Sequence, residues 1–302
     1  MRLPLVVFVA SATLAISSCG APAAGDAEPT AVEPLPTDGS LPHSVEELVF
    51  GGRRGCRADS ECLSQQCQYG SCIGLLIADE TWRQRDVAAK LAARAEADPE
   101  LKRRVTAALT RLVLRDDTDQ SFRGRAARGL EALGAREALR STLDAAPGAV
   151  HEDLSLALLR MGDSVGLDVV LQLVESERAS LQLEALYALG NVRAAEDVAR
   201  VLPVLLSFLT GDLGQEPPRA ALDALGRLGD ARAIRPIVAF VTTGPEALAD
   251  RASAVLAKLT GATLGPRVLA WEAWVREHNP PPAPPFALRT HSSEEDIGLP
   301  SP

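Results

Sequence analysis

The chain has 302 residues, a formal net charge of −9, and 46% hydrophobic but only 4% aromatic residues. That length admits one to three domains, and the composition is that of a folded globular chain rather than a fibrous or wholly disordered one. Residues 80–280 hold 26 basic and 28 acidic side chains, so the bulk charge offers no basic face of the kind nucleic-acid binding requires.

The first element in chain order is a targeting segment. Arg2 is followed by an apolar run from Leu3 to Ile16 and then by the small residues Ser17 and Ser18. The run is short for a membrane-spanning helix and has the three-part form of a secretory signal over residues 1–18. Ile16-Ser17-Ser18-Cys19 resembles a lipobox, which implies cleavage before Cys19 and lipidation of that cysteine. Two or more acyl chains, at about 0.8 kcal/mol per buried methylene, anchor a protein stably. Gly20 in place of Asp points to the outer membrane. The competing reading is an ordinary secretory signal with a chance cysteine.

Residues 19–50 then predict a disordered tether. They carry Asp26, Glu28, Glu33, Asp38, Glu46 and Glu47, five prolines and no Lys or Arg, and they lack an apolar period. Over 51–78 four cysteines, Cys56, Cys62, Cys67 and Cys72, stand close together. In an exported chain this reads as two disulfides, and four cysteines allow three pairings. Zinc is the rival, weakened by the lack of a C-x-x-C pair and of a nearby histidine. The spacing resembles small cysteine-rich modules of secreted bacterial proteins. Asp59 and Gly70 match that pattern, and Glu61 stands where a second Asp is usual. The resemblance implies pairing of first with third and second with fourth, Cys56–Cys67 and Cys62–Cys72.

Residues 80–279 have a helical period throughout. Leu101, Val105, Ala108, Leu109 and Leu112 fall on one face,. Five helices end in apolar pairs three apart, beginning at Leu130, Leu158, Leu186, Leu225 and Leu256, and closed by Gly134, Gly162, Gly190, Gly229 and Gly261. Glycine there predicts a left-handed helix stop. Four residues beyond each glycine comes a small residue (Ala138, Gly166, Ala194, Ala233, Gly265), expected to let the second helix approach the first. The unit recurs as a helical hairpin whose partners must bury its apolar face. The run ending Ala-Leu-Gly-Arg-Leu-Gly-Asp-Ala-Arg-Ala-Ile-Arg-Pro within 221–236 resembles HEAT repeats of the PBS-lyase-like kind. That resemblance implies an all-α, HEAT-like α-solenoid over about two thirds of the chain. Trp271 and Trp274 read as a terminal cap rather than an aromatic binding platform, and 280–302 as a Pro-rich disordered tail.

The search for chemistry finds no catalytic, cofactor or metal residues. His43, His151, His278 and His291 are scattered, and no phosphate loop or Gly-x-Ser-x-Gly is present,. Glu175 and Glu177, like Asp116 and Asp117, read as solvated turns, and His151 as a residue at a helix start. The expectation is a non-enzymatic, membrane-anchored scaffold that binds an envelope protein or peptide and takes no nucleic acid, cofactor or small-molecule substrate. The binding face is expected on the second helices, over 137–146, 166–176, 194–208, 232–242 and 266–277. Alternatives are a structural or assembly lipoprotein, with the cysteine module as a spacer or second contact, and a lyase-like enzyme subunit, suggested only by fold analogy.

Overall fold

The computed structural model describes residues 48–49, 51, 56–68, 71–76, 78, 81–115, 119–146, 148–211 and 213–289. Cys19, the signal segment, Gly70, Asp116, Asp117, His43, His291 and the tail from residue 290 lie outside the described residues.

Twelve α-helices among the described residues form six antiparallel hairpins. They are α1 (Thr81–Glu96) with α2 (Pro99–Leu114), α3 (Gln120–Ala132) with α4 (Arg136–Leu143), and α5 (Gly148–Arg160) with α6 (Leu167–Leu173). The array continues with α7 (Ala179–Leu189) and α8 (Ala195–Ser207), α9 (Glu216–Leu228) and α10 (Ile234–Thr243), and α11 (Ala249–Thr260) and α12 (Val268–His278). Local chemistry sets the boundaries. Asp98 caps α2 by accepting from the Glu100 and Leu101 amides at 3.1 and 3.0 Å, which satisfies donors that the helix itself leaves free. Gly134, Gly162, Gly229 and Gly261 have φ between +67° and +78°, the left-handed stop expected of them. Asp163 and Asp230, each one residue past such a glycine, accept from the amides of Val165 and Arg232 at 3.2 and 2.8 Å and so start the turn into the next helix.

Gly190 departs from the expected helix stop, because its φ is −66°. It is needed for space instead: a Cβ there would lie 2.8 Å from the Ala224 Cα and 2.9 Å from the Ala224 carbonyl oxygen. The small residues of the second turn also divide. Gly166 lies against Ser155, where a Cβ would come within 2.5 Å of the serine's own Cβ, and Ala233 is fully buried. Gly265 is exposed with φ +62°, so it serves turn geometry and not close approach.

The first helices of the hairpins stack without interruption, α1 on α3, α3 on α5, α5 on α7, α7 on α9 and α9 on α11. The second helices pack closely on one another only at the ends, α2 on α4 and α10 on α12. Side-chain size explains the asymmetry. α7 and α9 bury Ala185, Ala188, Ala220, Ala221 and Ala224 beside their leucines, whereas α8 and α10 bury Val201, Leu202, Leu205, Leu206, Ile237 and Phe240. Small residues bring one layer together and bulky ones spread the other, so the array curves toward the first helices. The core runs as two clusters that meet on α5. Val150, Leu154 and Leu158 belong to the N-terminal one, and Leu156 and Leu159 to the C-terminal one. A helix buried on both sides is apolar nearly all round, as α5 is.

Each end is covered. The disulfides join Cys56 to Cys67 and Cys62 to Cys72, the pairing the resemblance implies, so the clustered sulfurs of Cys56, Cys62 and Cys72 are bonded rather than free thiolates. Cys67–Gln68 and Ser71–Cys72 form a two-stranded antiparallel ladder, and Glu61 closes the loop by accepting from the Arg57 amide at 2.8 Å. The module docks on the array. Gln66 donates to Asp86 at 2.6 Å, Lys90 donates to the Ser64 carbonyl at 2.5 Å, and Arg125 donates to the Leu76 carbonyl. Leu48, Val49, Leu75 and Leu76 are buried in the N-terminal core, so this segment caps the first hairpins. At the other end Trp271 is fully buried, and its indole N–H donates to the Gly265 carbonyl at 2.8 Å.

Residues 280–289 correct the expectation of a loose tail. They run back over the second helices as a strap. Arg235 donates to the Pro280 carbonyl at 3.0 Å, and Ala283 and Phe286 pack on the core. The Arg289 guanidinium sits 3.7 Å from the Phe208 ring centroid, donates to Ser207 Oγ at 3.0 Å, and pairs with Glu175. Glu175, expected as a solvated turn residue, is therefore the strap's partner.

Candidate functional site

A groove of about 1030 Å³ runs along the first-helix face. The α1 helix forms one wall, with Ala88, Ala89, Ala92 and Ala93 between Gln84 and Arg85 at one end and Glu96 at the other. Opposite stand Arg128 and Glu131 of α3, Arg160 of α5 with Met161 just beyond its end, Glu184, Tyr187 and Asn191 around α7, and Arg227 of α9. The groove lies on the first helices, whereas the sequence predicts a binding face on the second helices. The layer that approaches most closely lies inside the curve, and the strap covers part of the other layer.

In the N-terminal half the groove arginines of α3 and α5 are paired with carboxylates of the groove. Arg160 makes a two-pronged contact with Glu131 at 2.9 and 2.8 Å and reaches Glu184 at 3.6 Å, and Arg128 also reaches Glu184 at 3.6 Å. Planar guanidinium–carboxylate forks fix both partners in orientation. Asp153 sits at the edge of this network and lines an adjoining recess of about 440 Å³ with Gly124, Arg128 and Gln84. A Cβ on Gly124 would lie 2.5 Å from its Oδ2. Burial, only partly offset by Arg128, pushes the Asp153 carboxyl up to about 6, because a desolvated carboxylate favours its neutral form.

In the C-terminal half Arg227 lines the groove, and Arg193 lies close enough to act on its charge. Arg227 lies over the Tyr187 ring, 5.6 Å from its centroid, and donates to the Tyr187 carbonyl at 2.6 Å. Arg219 pairs with Glu216 at 3.4 Å and Arg251 pairs with Asp223. Burial holds the Arg227 guanidinium below its ordinary value, with Asp223 opposing and Arg193 adding to the shift.

The residues singled out from sequence are scattered over the fold. The four disulfide cysteines lie at the N-terminal cap. Trp271 is core, while Trp274 stacks on His278 with ring centroids 4.2 Å apart, so the tryptophans form no open platform. His151 stands in the first turn of α5, where its Nδ1 meets the Leu143 carbonyl at 2.9 Å. The groove residues were missed. A signal for them existed on α5, where Asp153 and Arg160 are seven residues apart on one side of a mostly apolar helix.

The family model of the PBS lyase HEAT-like repeat matches residues 218–243, which span α9 and α10. Together with the stacked hairpins, this defines an all-α, HEAT-like α-solenoid carrying an N-terminal pair of disulfides. Among solved structures the chain is similar to the crystal structure of an engineered protein, a Northeast Structural Genomics Consortium target, at 21% identity and a TM-score of 0.40, covering 62% of this chain and 94% of that one. No curated protein matches the chain. No helix among the described residues is long and apolar enough to cross a membrane.

Proposed function

We propose that this chain is a lipid-anchored, non-enzymatic scaffold of the cell envelope whose first-helix groove binds a protein or peptide. The groove carries the reading. It is open and long, it has a wall carrying four alanines on one side and oriented guanidinium and carboxylate groups on the other, and a surface of that kind suits an extended partner better than a small substrate. The lipobox-like segment at Cys19 and the two disulfides support an exported location, since disulfides persist where the compartment is oxidising. Gly20 favours the outer membrane. No residue has a catalytic role in this reading. An envelope-assembly lipoprotein is the second reading, favoured by the docked cysteine module, which gives the N-terminal end a finished outer surface.

A photo-cross-linking side chain placed at Ala89 in the groove, compared with one at Leu269 on exposed α12, tests the binding face in cells. A discrete adduct from Ala89 and none from Leu269 is expected; no adduct from Ala89 would sink the groove reading. Cys19→Ala is expected to abolish incorporation of labelled palmitate and to release the chain from membranes. Unchanged membrane partition of that variant would place the anchor elsewhere.

A further inference from the structure

The two halves of the groove differ in how their arginines are answered. In the N-terminal half Arg128 and Arg160 both face carboxylates. At the other end Arg227 lines the groove over Tyr187, with Arg219 and Arg251 near the same ring and Arg193 near Arg227, and two carboxylates act on this group, Glu216 and Asp223. Those carboxylates are taken by Arg219 and Arg251. Arg193 and Arg227 are held instead by backbone carbonyls. Arg193 donates to Gly190 at 3.1 Å and to Val192 at 2.8 Å, and Arg227 donates to Tyr187 at 2.6 Å. Among the described residues neither makes an ion pair. Carbonyl contacts orient a guanidinium without neutralising it, and each fork keeps N–H groups for a further acceptor. Arg227 is also fixed by the ring beneath it, so little side-chain entropy remains to be lost when an anion arrives.

We propose that Arg193 and Arg227, beside Tyr187, form the anchoring subsite for a carboxylate side chain of an acidic peptide segment in the partner protein, laid along the groove toward the alanines of α1. The proposal rests on the groove-binding reading above and supplies its chemistry. Charge complementarity selects the occupant: the excess charge at this end is positive, whereas the opposite half sets Arg85, Arg128 and Arg160 against Glu96, Glu131 and Glu184 and is balanced, with four alanines between the charged ends of its wall. From α1 to α9 there are four interhelix steps of about 8–10 Å. An extended segment of about ten to twelve residues spans that distance.

The probe is a fluorophore-labelled peptide of about twelve residues repeating Glu-Leu-Ala, with Gln and Lys versions, titrated by anisotropy against the full mature chain. The Glu peptide is expected to bind roughly tenfold more tightly than the Gln peptide, about 1.4 kcal/mol, and the Lys peptide not to bind. Arg227→Gln and Arg193→Gln should each erase most of that Glu-over-Gln preference in variants whose far-UV spectrum shows the array still folded. Equal binding of Glu and Gln peptides, or a preference untouched by both variants, overturns the subsite. If Ala89 still cross-links in cells in that case, the groove reading stands and only the arginine subsite falls. Binding that appears only after residues 20–47 are deleted would put the chain's own acidic stretch in the groove and overturn the external partner.

Discussion

Asp153→Asn should stabilise the array at neutral pH, and the gain should vanish in acid. The Asp153 carboxyl titrates at about 6 in the folded chain and at about 3.9 when unfolded. A folded-state pKa raised in a carboxyl is a cost carried by the ionised form. Above pH ~6 both states are ionised and the folded state bears that cost in full; between ~6 and ~4 the folded state takes up a proton that the unfolded state does not, and the cost is relieved. Two pKa units correspond to about 3 kcal/mol at the limit, and solvent reaching a partly exposed groove residue reduces that to about 1–2 kcal/mol. The amide keeps the shape beside Gly124, where a Cβ would lie 2.5 Å from Oδ2, and removes the charge. Because repeat arrays open locally, the assay is native-state hydrogen exchange of the α5 amides, alongside urea midpoints, at pH 7.5, 6 and 5. The difference between variant and parent is the quantity to follow, since groups such as Asp86, held below its usual range by its Lys90 contact, lose stability toward acid in both chains. A difference that is constant with pH, or an Asn variant less stable at pH 7.5, would refute the assignment of the shift to burial at this site.

Three further outcomes test the frame that holds the groove. Gly190→Ala should cost about 1–3 kcal/mol by forcing α7 from α9, whereas Gly134→Ala, with open space but φ +67°, should cost only about 1 kcal/mol; urea midpoints check the ordering. Replacing Cys62 and Cys72 with Ser should cost about 2–4 kcal/mol and raise hydrogen exchange in α1 and α3 ahead of α11, because the module caps that end. Arg289→Ala should raise exchange at residues 205–211 and leave the N-terminal hairpins unchanged; uniform exchange across the chain would show that the strap is not bound as described.

Helix positions, the hairpin unit and the disulfide-bearing segment were legible in the sequence because each depends on local rules: a 3.6-residue period, a glycine or aspartate at a helix boundary, an even set of close cysteines. The strap was not. Its five prolines read as tail, and the residues that bind it, Phe286 and Arg289, are two in ten and meet partners as distant in sequence as Glu175. Composition averages such pairs away. Asp153 was likewise illegible as a perturbed group, since its shift comes first from burial, with Arg128 of α3 and Glu184 of α7 acting on it ahead of Arg160 and Glu152 of its own helix.

The side of the array that carries the groove shows why one physical quantity was missed while its ingredients were in view. Small residues four beyond each glycine suggested that the second helices come close, yet curvature depends on the spacing between successive repeats, not within one hairpin. That spacing is set by which residues face the next repeat. Between α7 and α9 Gly190 lies against Ala224, and between α9 and α11 Gly226 lies against Val255, whose Cγ1 would be 3.3 Å from an added Cβ. α8 and α10 bury leucine, isoleucine and phenylalanine. A layer that makes such close contacts must have the shorter arc, so the groove opens on the first helices. Enlarging one such contact, as Gly190→Ala does, therefore tests more than stability. It should widen the arc at α7–α9, separate Tyr187 from Arg227, whose contact bridges those two helices, and weaken partner cross-linking from Ala89 even under conditions where the variant stays folded.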